Sequence, residues 1–183
     1  MTRNSALNLT FGIGAILCFF LDGSLSNLFA PLLFTKDLMV PNLSLLWLIL
    51  TLIFTKDNLG SNHLHLEWWA AGIGLAIDWY YVGILGIFSF IFPLIVYLVR
   101  KLTKWISVNF LTALLIYEVS LAVTGLLNYF ANWFASRIGH TVISSGIGFS
   151  WHVLLPTLAL NLLFYMLLYF PIRSLFSKYQ RNS

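Results

Sequence analysis

Long apolar runs constrain this chain more than any other feature of its sequence. In the clearest run, residues 72–99, a single carboxylate, Asp78, is the only charged side chain among aliphatic, aromatic and small residues. Over the 183 residues, 60% are hydrophobic and 9% are charged, whereas about a quarter of the residues in a soluble domain are charged. Lipid is therefore predicted to be the solvent for most of the chain.

Six apolar segments are visible, and each is predicted to be an α-helix, because a segment in lipid must satisfy its own backbone hydrogen bonds. A β-barrel would need short segments in which apolar and polar residues alternate, whereas these segments are continuously apolar. The expected fold is an all-α polytopic membrane protein, a compact bundle of about six transmembrane helices forming one domain over residues 1–183. The predicted helices cover about residues 7–29, 38–54, 60–77, 79–99, 106–134 and 151–172.

The basic residues predict the orientation of such a bundle. With six spans, the termini and the loops after helices two and four share one side. Of the ten Lys and Arg, two (Lys36 and Arg137) fall on the other side. Since cytoplasmic loops carry an excess of Lys and Arg, both termini are predicted to be cytoplasmic. The remaining eight are Arg3, Lys56, Arg100, Lys101, Lys104, Arg173, Lys178 and Arg181.

Three predicted helices carry a carboxylate on a face of small or polar residues. Steps of three and four place these residues on one helical face, where small residues permit close helix approach in lipid. Such a face indicates ordinary packing within the bundle, a contact with a partner's helix, or a solvated cavity. The stripes are Asn8, Gly12, Ala15, Cys18 and Asp22; Glu67, Ala71, Gly74 and Asp78; and Glu118, Leu121, Gly125, Asn128 and Asn132.

The sequence predicts a position and a role for two of the carboxylates, Glu118 and Asp78. Glu118 lies about 12 residues into the fifth predicted helix, near the bilayer midplane, where an ionisable group is a candidate functional residue. It is expected to be protonated, or paired with Tyr117, Asn161 or a partner. Asp78 is expected at a tight outer turn before a helix starting at Trp79, with capping of that helix, a partner contact and proton chemistry as the alternatives.

No set of residues in the sequence predicts catalysis. The single cysteine, Cys18, excludes an intramolecular disulfide, and the four His residues lack a spaced set of further metal ligands. H-E-x-x-H, G-x-S-x-G and Walker A motifs are absent from the sequence. The expectation is therefore a protein that is not an enzyme and that has no cofactor and no metal.

Several local motifs resemble the MreD family of bacterial rod-shape-determining proteins. They are "VPNLSLLWLIL" at residues 40–50, the stretch from residue 72 to 102, Tyr117 with Glu118, and residues 154–175. In this resemblance Pro41 and Asn42 open helix two, Asp78 precedes Gly83 and Gly86, and the last helix carries Pro156, Asn161, Pro171 and Arg173. Many relatives have Asp where this chain has Asn42, so this chain departs from the family pattern by an uncharged side chain at that position.

The resemblance implies a non-catalytic scaffold of the cell-wall elongation machinery in the bacterial cytoplasmic membrane. Its implied partners are the single-span protein MreC, a RodA-type glycan polymerase and a class B penicillin-binding protein, with the actin-like MreB in rods. The candidate structural or partner-contact residues are Pro41, Asn42, Asp78, Gly83, Gly86, Glu118, Gly125, Asn128 and Asn161.

The alternative is a substrate-binding subunit of a vitamin transporter of the energy-coupling-factor type, which is similar in size and helix number. That function would require a polar and aromatic pocket near the outer face. Its candidate lining residues are Asp22, Asp78, Trp79, Tyr80, Tyr81, His140 and His152.

Overall fold

The computed structural model describes residues 3–33, 39–55, 65–139 and 151–181, and these residues are helical or lie in short connections. Among these described residues, six helices have 12 or more residues. In chain order the elements are α1 (Arg3–Leu28), the single turn α2 (Ala30–Leu33), α3 (Leu43–Thr55), α4 (Leu66–Ile77), a π-helical turn (Asp78–Val82), α5 (Phe88–Leu102), α6 (Phe110–Gly139) and α7 (Trp151–Arg181).

Three helices are long and apolar enough to cross a bilayer. These spans are Ala6–Leu28 of α1, Phe110–Arg137 of α6 and His152–Ser177 of α7. Leu43–Thr55 is apolar but shorter; at 1.5 Å per residue it extends about 20 Å, less than the roughly 30 Å hydrocarbon layer. The all-helical class agrees with the sequence, and three of the six expected spans meet the length and hydropathy requirement.

Helix α3 forms the centre of the bundle. Every one of its 13 residues except Phe54 is buried, and α3 contacts α1, α4, α5, α6 and α7. Trp47 illustrates this packing, because its indole Nε1 donates to the Phe11 carbonyl at 3.1 Å and its ring lies 5.7 Å from that of Phe176. Its apolar side chains on all sides suit a helix that other helices surround.

Helices α4 and α5 form an antiparallel pair that is held at both ends. At the end next to the turn, Gly74 is buried so close to the start of α5 that a Cβ there would overlap the Phe88 carbonyl. At the far end, Arg100 forms an ion pair with Glu67 at 2.9 Å. Glycine is therefore needed at position 74 for close approach of the two helices.

The helix boundaries differ from the predicted ones mainly at two places. Trp79 does not begin a helix: α4 continues through the π-helical turn, and the next helix begins at Phe88. The last helix does not end near Ile172 but continues through Pro171 to Arg181. A proline within a helix in lipid is tolerated when neighbouring groups satisfy the freed carbonyl.

Candidate functional site

The polar side chains of the apolar helices converge on the start of α3. The backbone of residues 40–44 receives side chains from α1, α6 and α7, and we call this group the α3-start cluster. Its side-chain members are Asp22, Tyr117, Thr157 and Asn161.

Asn161 is the hub of this cluster and is fully buried. Its Oδ1 accepts from the Asn42 N–H at 2.9 Å and from the Tyr117 hydroxyl at 3.0 Å. Its Nδ2 donates to the carbonyls of Val40 and Thr157, both at 2.8 Å. The amide thus makes four hydrogen bonds, which is its full capacity, and it ties α6 and α7 to the segment that leads into α3.

Asp22 supplies the other half of the cluster. Its two carboxylate oxygens accept from the backbone N–H groups of Leu43 at 2.6 Å and Ser44 at 2.9 Å. These are free donors at a helix N-terminus, where a negative charge is also favoured by the helix dipole. Helix α3 is therefore capped by a side chain 21 residues earlier in the chain, on a different helix.

Pro41 and Asn42, which the family motif places at the opening of helix two, lie directly before α3 and within this cluster. Pro41 is buried, and the Asn42 side chain donates to the Val40 carbonyl at 3.0 Å. The Asn42 side chain itself therefore stabilises the local turn, while the carboxylate that caps α3 comes from Asp22. The chain thus has a carboxylate at this helix start although it has Asn at position 42.

Asp78 forms a second cap of the same kind. It is fully buried, and its Oδ2 accepts from the N–H groups of Gly86 at 3.1 Å and Ser89 at 3.0 Å, while Oδ1 accepts from that of Phe88 at 2.8 Å. The turn that we expected at Asp78 lies five to nine residues later in the chain. The Asp78 carboxylate does accept hydrogen bonds at the start of a helix, but that helix is α5, which begins at Phe88, and not a helix beginning at Trp79.

Gly83 and Gly86 explain where this turn falls. Gly83 has a φ of 75° and Gly86 a φ of 110°, a region that side-chain-bearing residues rarely adopt. Gly83 ends the π-helical turn by donating its N–H to the Asp78 carbonyl at 2.7 Å. The two glycines and Asp78 therefore act as one unit that reverses the chain between α4 and α5.

The three small-polar stripes have different environments. Gly12, Ala15 and Cys18 of the first stripe are buried, as are Gly74 and Asp78 of the second. In the third stripe Leu121 is buried, but Gly125 is exposed and a Cβ added there would meet no atom within 4 Å. Asn128 is half-buried, and its Oδ1 and carbonyl accept from the Asn132 amide.

Glu118 lies in the first half of α6, nearer to the midpoint of the helix than to its start. Since α6 begins at Phe110 and has 30 residues, Glu118 lies about 12 Å along the axis from the start of the helix and about 10 Å before its midpoint. Tyr117 and Asn161, its expected partners, hydrogen-bond to each other. Among the described residues, no group donates to the buried Oε1 of Glu118.

The described residues among those proposed to line a vitamin pocket lie at separate locations in the structure. Asp22 caps α3 and Asp78 caps α5. Trp79 and Tyr80 border an open apolar groove of about 340 Å³ between α1 and α4, which Phe19, Gly72, Leu75 and Ala76 also line. His140 lies outside the described residues. Within those ranges, no group of three His, Cys, Asp or Glu side chains could hold a metal ion.

Thr157 and the capping role of Asp22 were missed by sequence reasoning. Thr157 precedes Asn161 by one helical turn, so a polar pair on one face of α7 was a usable signal. The sequence around Asp22 gave no signal of this role, because the helix whose N–H groups its carboxylate accepts begins 21 residues later. Capping motifs are recognised within a few residues of the helix that they cap.

Comparison with known proteins gives one family. The family model described as rod shape-determining protein MreD matches residues 8–179, which is nearly the whole chain. No curated protein and no solved structure matches the chain.

Proposed function

Since the chain belongs to the MreD family and is thus a rod-shape-determining membrane protein, we propose that it acts as a non-catalytic scaffold of cell-wall elongation. The observation that carries the proposal is how its polar groups are used. Asp22, Asp78 and Asn161 are committed to capping and joining helices. A bundle whose helices are joined in this way and whose outer faces are apolar is suited to binding other membrane helices.

The proposed partners are an MreC-like single-span protein and, with it, a RodA-type polymerase and a class B penicillin-binding protein. The surface that supports this proposal is the outer face of the helices. Large apolar side chains there are exposed, including Leu115 at 63% on α6 and Leu167 at 70% on α7. In a membrane, either lipid or a partner's helix covers such a surface. Where small residues lie on it, a partner's helix can pack closely against it.

We propose that the protein is multi-pass in the cytoplasmic membrane, with six spans and cytoplasmic termini. The ion pair of Arg100 with Glu67 supports a hairpin whose open end carries positive charge. Lys101 and Lys104 follow at the same end. In this topology the short α3 lies within the bundle, covered by neighbouring helices and not by lipid. Labelling of single cysteines introduced at positions 104 and 137 tests the arrangement, since the two should be accessible from opposite sides.

Depletion of the protein tests the function. Cells should lose their normal shape, and newly inserted wall, followed with a fluorescent D-amino acid, should no longer be confined to its normal sites. A plasmid copy of the unchanged chain should restore both properties. Normal shape and normal wall insertion after complete depletion would contradict the scaffold function.

Co-purification tests the partner. A tagged chain extracted from its own membranes should retain the MreC-like protein, whereas an unrelated tagged membrane protein of similar size should not. Retention of a vitamin, detected by mass spectrometry, in place of any wall-synthesis protein would favour the transporter function instead.

A further inference from the structure

The end of α5 carries two lysines and a tryptophan that lie side by side. The helical turn continues beyond the last residue of α5, because Lys104 donates its N–H to the Lys101 carbonyl at 3.3 Å. The N–H of Trp105 likewise donates to the Leu102 carbonyl at 3.0 Å. Steps of three and four therefore place Lys101, Lys104 and Trp105 next to one another. We call these three residues the α5-end patch.

The α5-end patch continues the side of α5 that faces away from the bundle. Tyr97, four residues before Lys101, is exposed, whereas Val99 and Thr103 are buried. All three residues of the patch are exposed, and Trp105 at 85% is more exposed than any other large hydrophobic side chain among the described residues. The lysines follow an apolar helix, so the patch is expected where the lipid-facing side of α5 reaches the membrane surface.

No described carboxylate forms an ion pair with either lysine of the patch. Glu67 is paired with Arg100 at 2.9 Å. Asp22 and Asp78 accept backbone hydrogen bonds at the starts of α3 and α5. The positive charge of the patch is therefore not neutralised by the part of the chain that the structure describes, and it is complementary to an anion from outside.

The indole beside the lysines favours a lipid as the source of that anion. Trp side chains concentrate at membrane interfaces, where the ring contacts apolar chains and the N–H remains near polar groups. Lysine stems lie along apolar surface while their ammonium groups reach toward the headgroups. An anionic phospholipid matches both parts of the patch, whereas an acidic protein surface matches only the lysines.

We propose that the α5-end patch binds the headgroup of an anionic phospholipid, with Lys101 and Lys104 at its phosphate and Trp105 against the start of its acyl chains. The inference goes beyond the scaffold function and rests only on the proposed location of α5 in the membrane. One basic residue at an anionic membrane surface corresponds to about a fivefold gain in binding. Two lysines should therefore give a preference of about 25-fold over a zwitterionic lipid.

The chain offers a charge-matched pair of variants for the test. Lys101→Gln with Lys104→Gln removes two positive charges from the patch, and Arg137→Gln with Arg173→Gln removes two from exposed residues elsewhere. Each double substitution lowers the net charge from +4 by two, to +2. The two variants thus differ in where the charge is lost and not in how much is lost.

Native mass spectrometry of the full-length chain, titrated with phosphatidylglycerol or with phosphatidylcholine of the same acyl chains, measures the preference. Wild type should retain phosphatidylglycerol at least tenfold better than phosphatidylcholine. The lysine variant should prefer it less than about threefold, and the arginine variant should stay within twofold of wild type. Equal retention of the two lipids by wild type would overturn the inference, and so would an equal loss of preference in both variants.

Two further measurements separate lipid binding from folding and from protein binding. The substituted lysines are exposed, so the lysine variant should keep the wild-type Tm in detergent, and Lys101→Arg with Lys104→Arg should keep the lipid preference. Loss of the preference in this arginine replacement would overturn the role of charge. In intact membranes, benzoylphenylalanine at position 105 should crosslink to phospholipid, and a crosslink to a protein in its place would overturn the inference.

Failure of the proposed function is distinguishable from failure of this inference. Normal cell shape after depletion would contradict the scaffold function and would leave the measured lipid preference unchanged. Loss of shape in depleted cells, together with equal retention of both lipids by the purified chain, would support the scaffold function and overturn the lipid site.

Discussion

Replacing Asp78 by alanine should destabilise the α4–α5 hairpin, because three backbone donors lose their common acceptor. The N–H groups of Gly86, Phe88 and Ser89 lie 2.8–3.1 Å from the carboxylate. They belong to the turn and to the first residues of α5, where no intrahelical acceptor is available. The Asp78 side chain is fully buried, so water cannot simply take its place.

The size of the effect follows from the number of bonds. Each donor left without a partner costs about 1 kcal/mol at the low end of the usual range, so Asp78→Ala should cost ~3 kcal/mol. Oδ2 accepts two of the three bonds, and an amide oxygen in its place can keep both. Asp78→Asn should therefore lose one bond, or ~1 kcal/mol. For a chain of this size, 1 kcal/mol corresponds to roughly 2–4 °C in Tm, which gives a loss of about 6–12 °C for alanine.

Thermal unfolding in detergent, followed by the monomer peak in size-exclusion chromatography, measures the effect. Ser89→Ala is the matched control, because it keeps the backbone N–H that bonds to Asp78 and should stay within about 2 °C of wild type. A Tm for Asp78→Ala within about 2 °C of wild type would refute the capping argument. Equal losses for Asn and Ala would show that charge, and not the number of bonds, stabilises the turn.

Three further predictions use the same thermal assay. Asp22→Ala should cost ~2 kcal/mol, since two donors at the start of α3 lose their acceptor, and an unchanged Tm would contradict the cap. Asn161→Leu should cost more than Tyr117→Phe, because the leucine abolishes four hydrogen bonds and the phenylalanine removes only those of one hydroxyl; the reverse order would count against Asn161 as the hub. Gly74→Leu should greatly reduce the folded fraction by forcing α4 from α5, whereas Gly72→Leu should not; equal yields of the two would show that the close approach is dispensable.

Hydropathy predicted the helices well and their ends poorly. The run from residue 72 to 99 contains parts of two helices and the turn between them. Every part of this run is apolar, so hydropathy does not distinguish the helical residues from those of the turn. We placed the turn at Asp78 because a charge is expected at a membrane surface. The structure places it at residues 83–87, where two glycines with positive φ permit the reversal, and it buries Asp78 against that turn. The Gly83 and Gly86 spacing was the better local signal.

The candidate site was only partly predictable for a similar reason. Pro41, Asn42 and Asn161 were selected from family motifs, and the structure brings all three together at the start of α3. Gly125 and Glu118 share one face, which helical spacing alone indicates. Whether a face points into the bundle or outward depends on where the other helices lie, so the largely buried stripe of α1 and the exposed Gly125 of the α6 stripe looked alike in sequence.

The sequence by itself determined that this chain is helical and belongs in a membrane, because apolar runs with 9% charged residues have no other stable solvent. It also carried the motifs by which the family is recognised. Only the tertiary structure decided what the few polar groups do. Asp22 and Asp78 each cap a helix that begins well after them in the chain, and Asn161 joins segments more than a hundred residues apart. In a low-dielectric interior every free backbone donor must find an acceptor, and which side chain reaches it is settled when the helices pack.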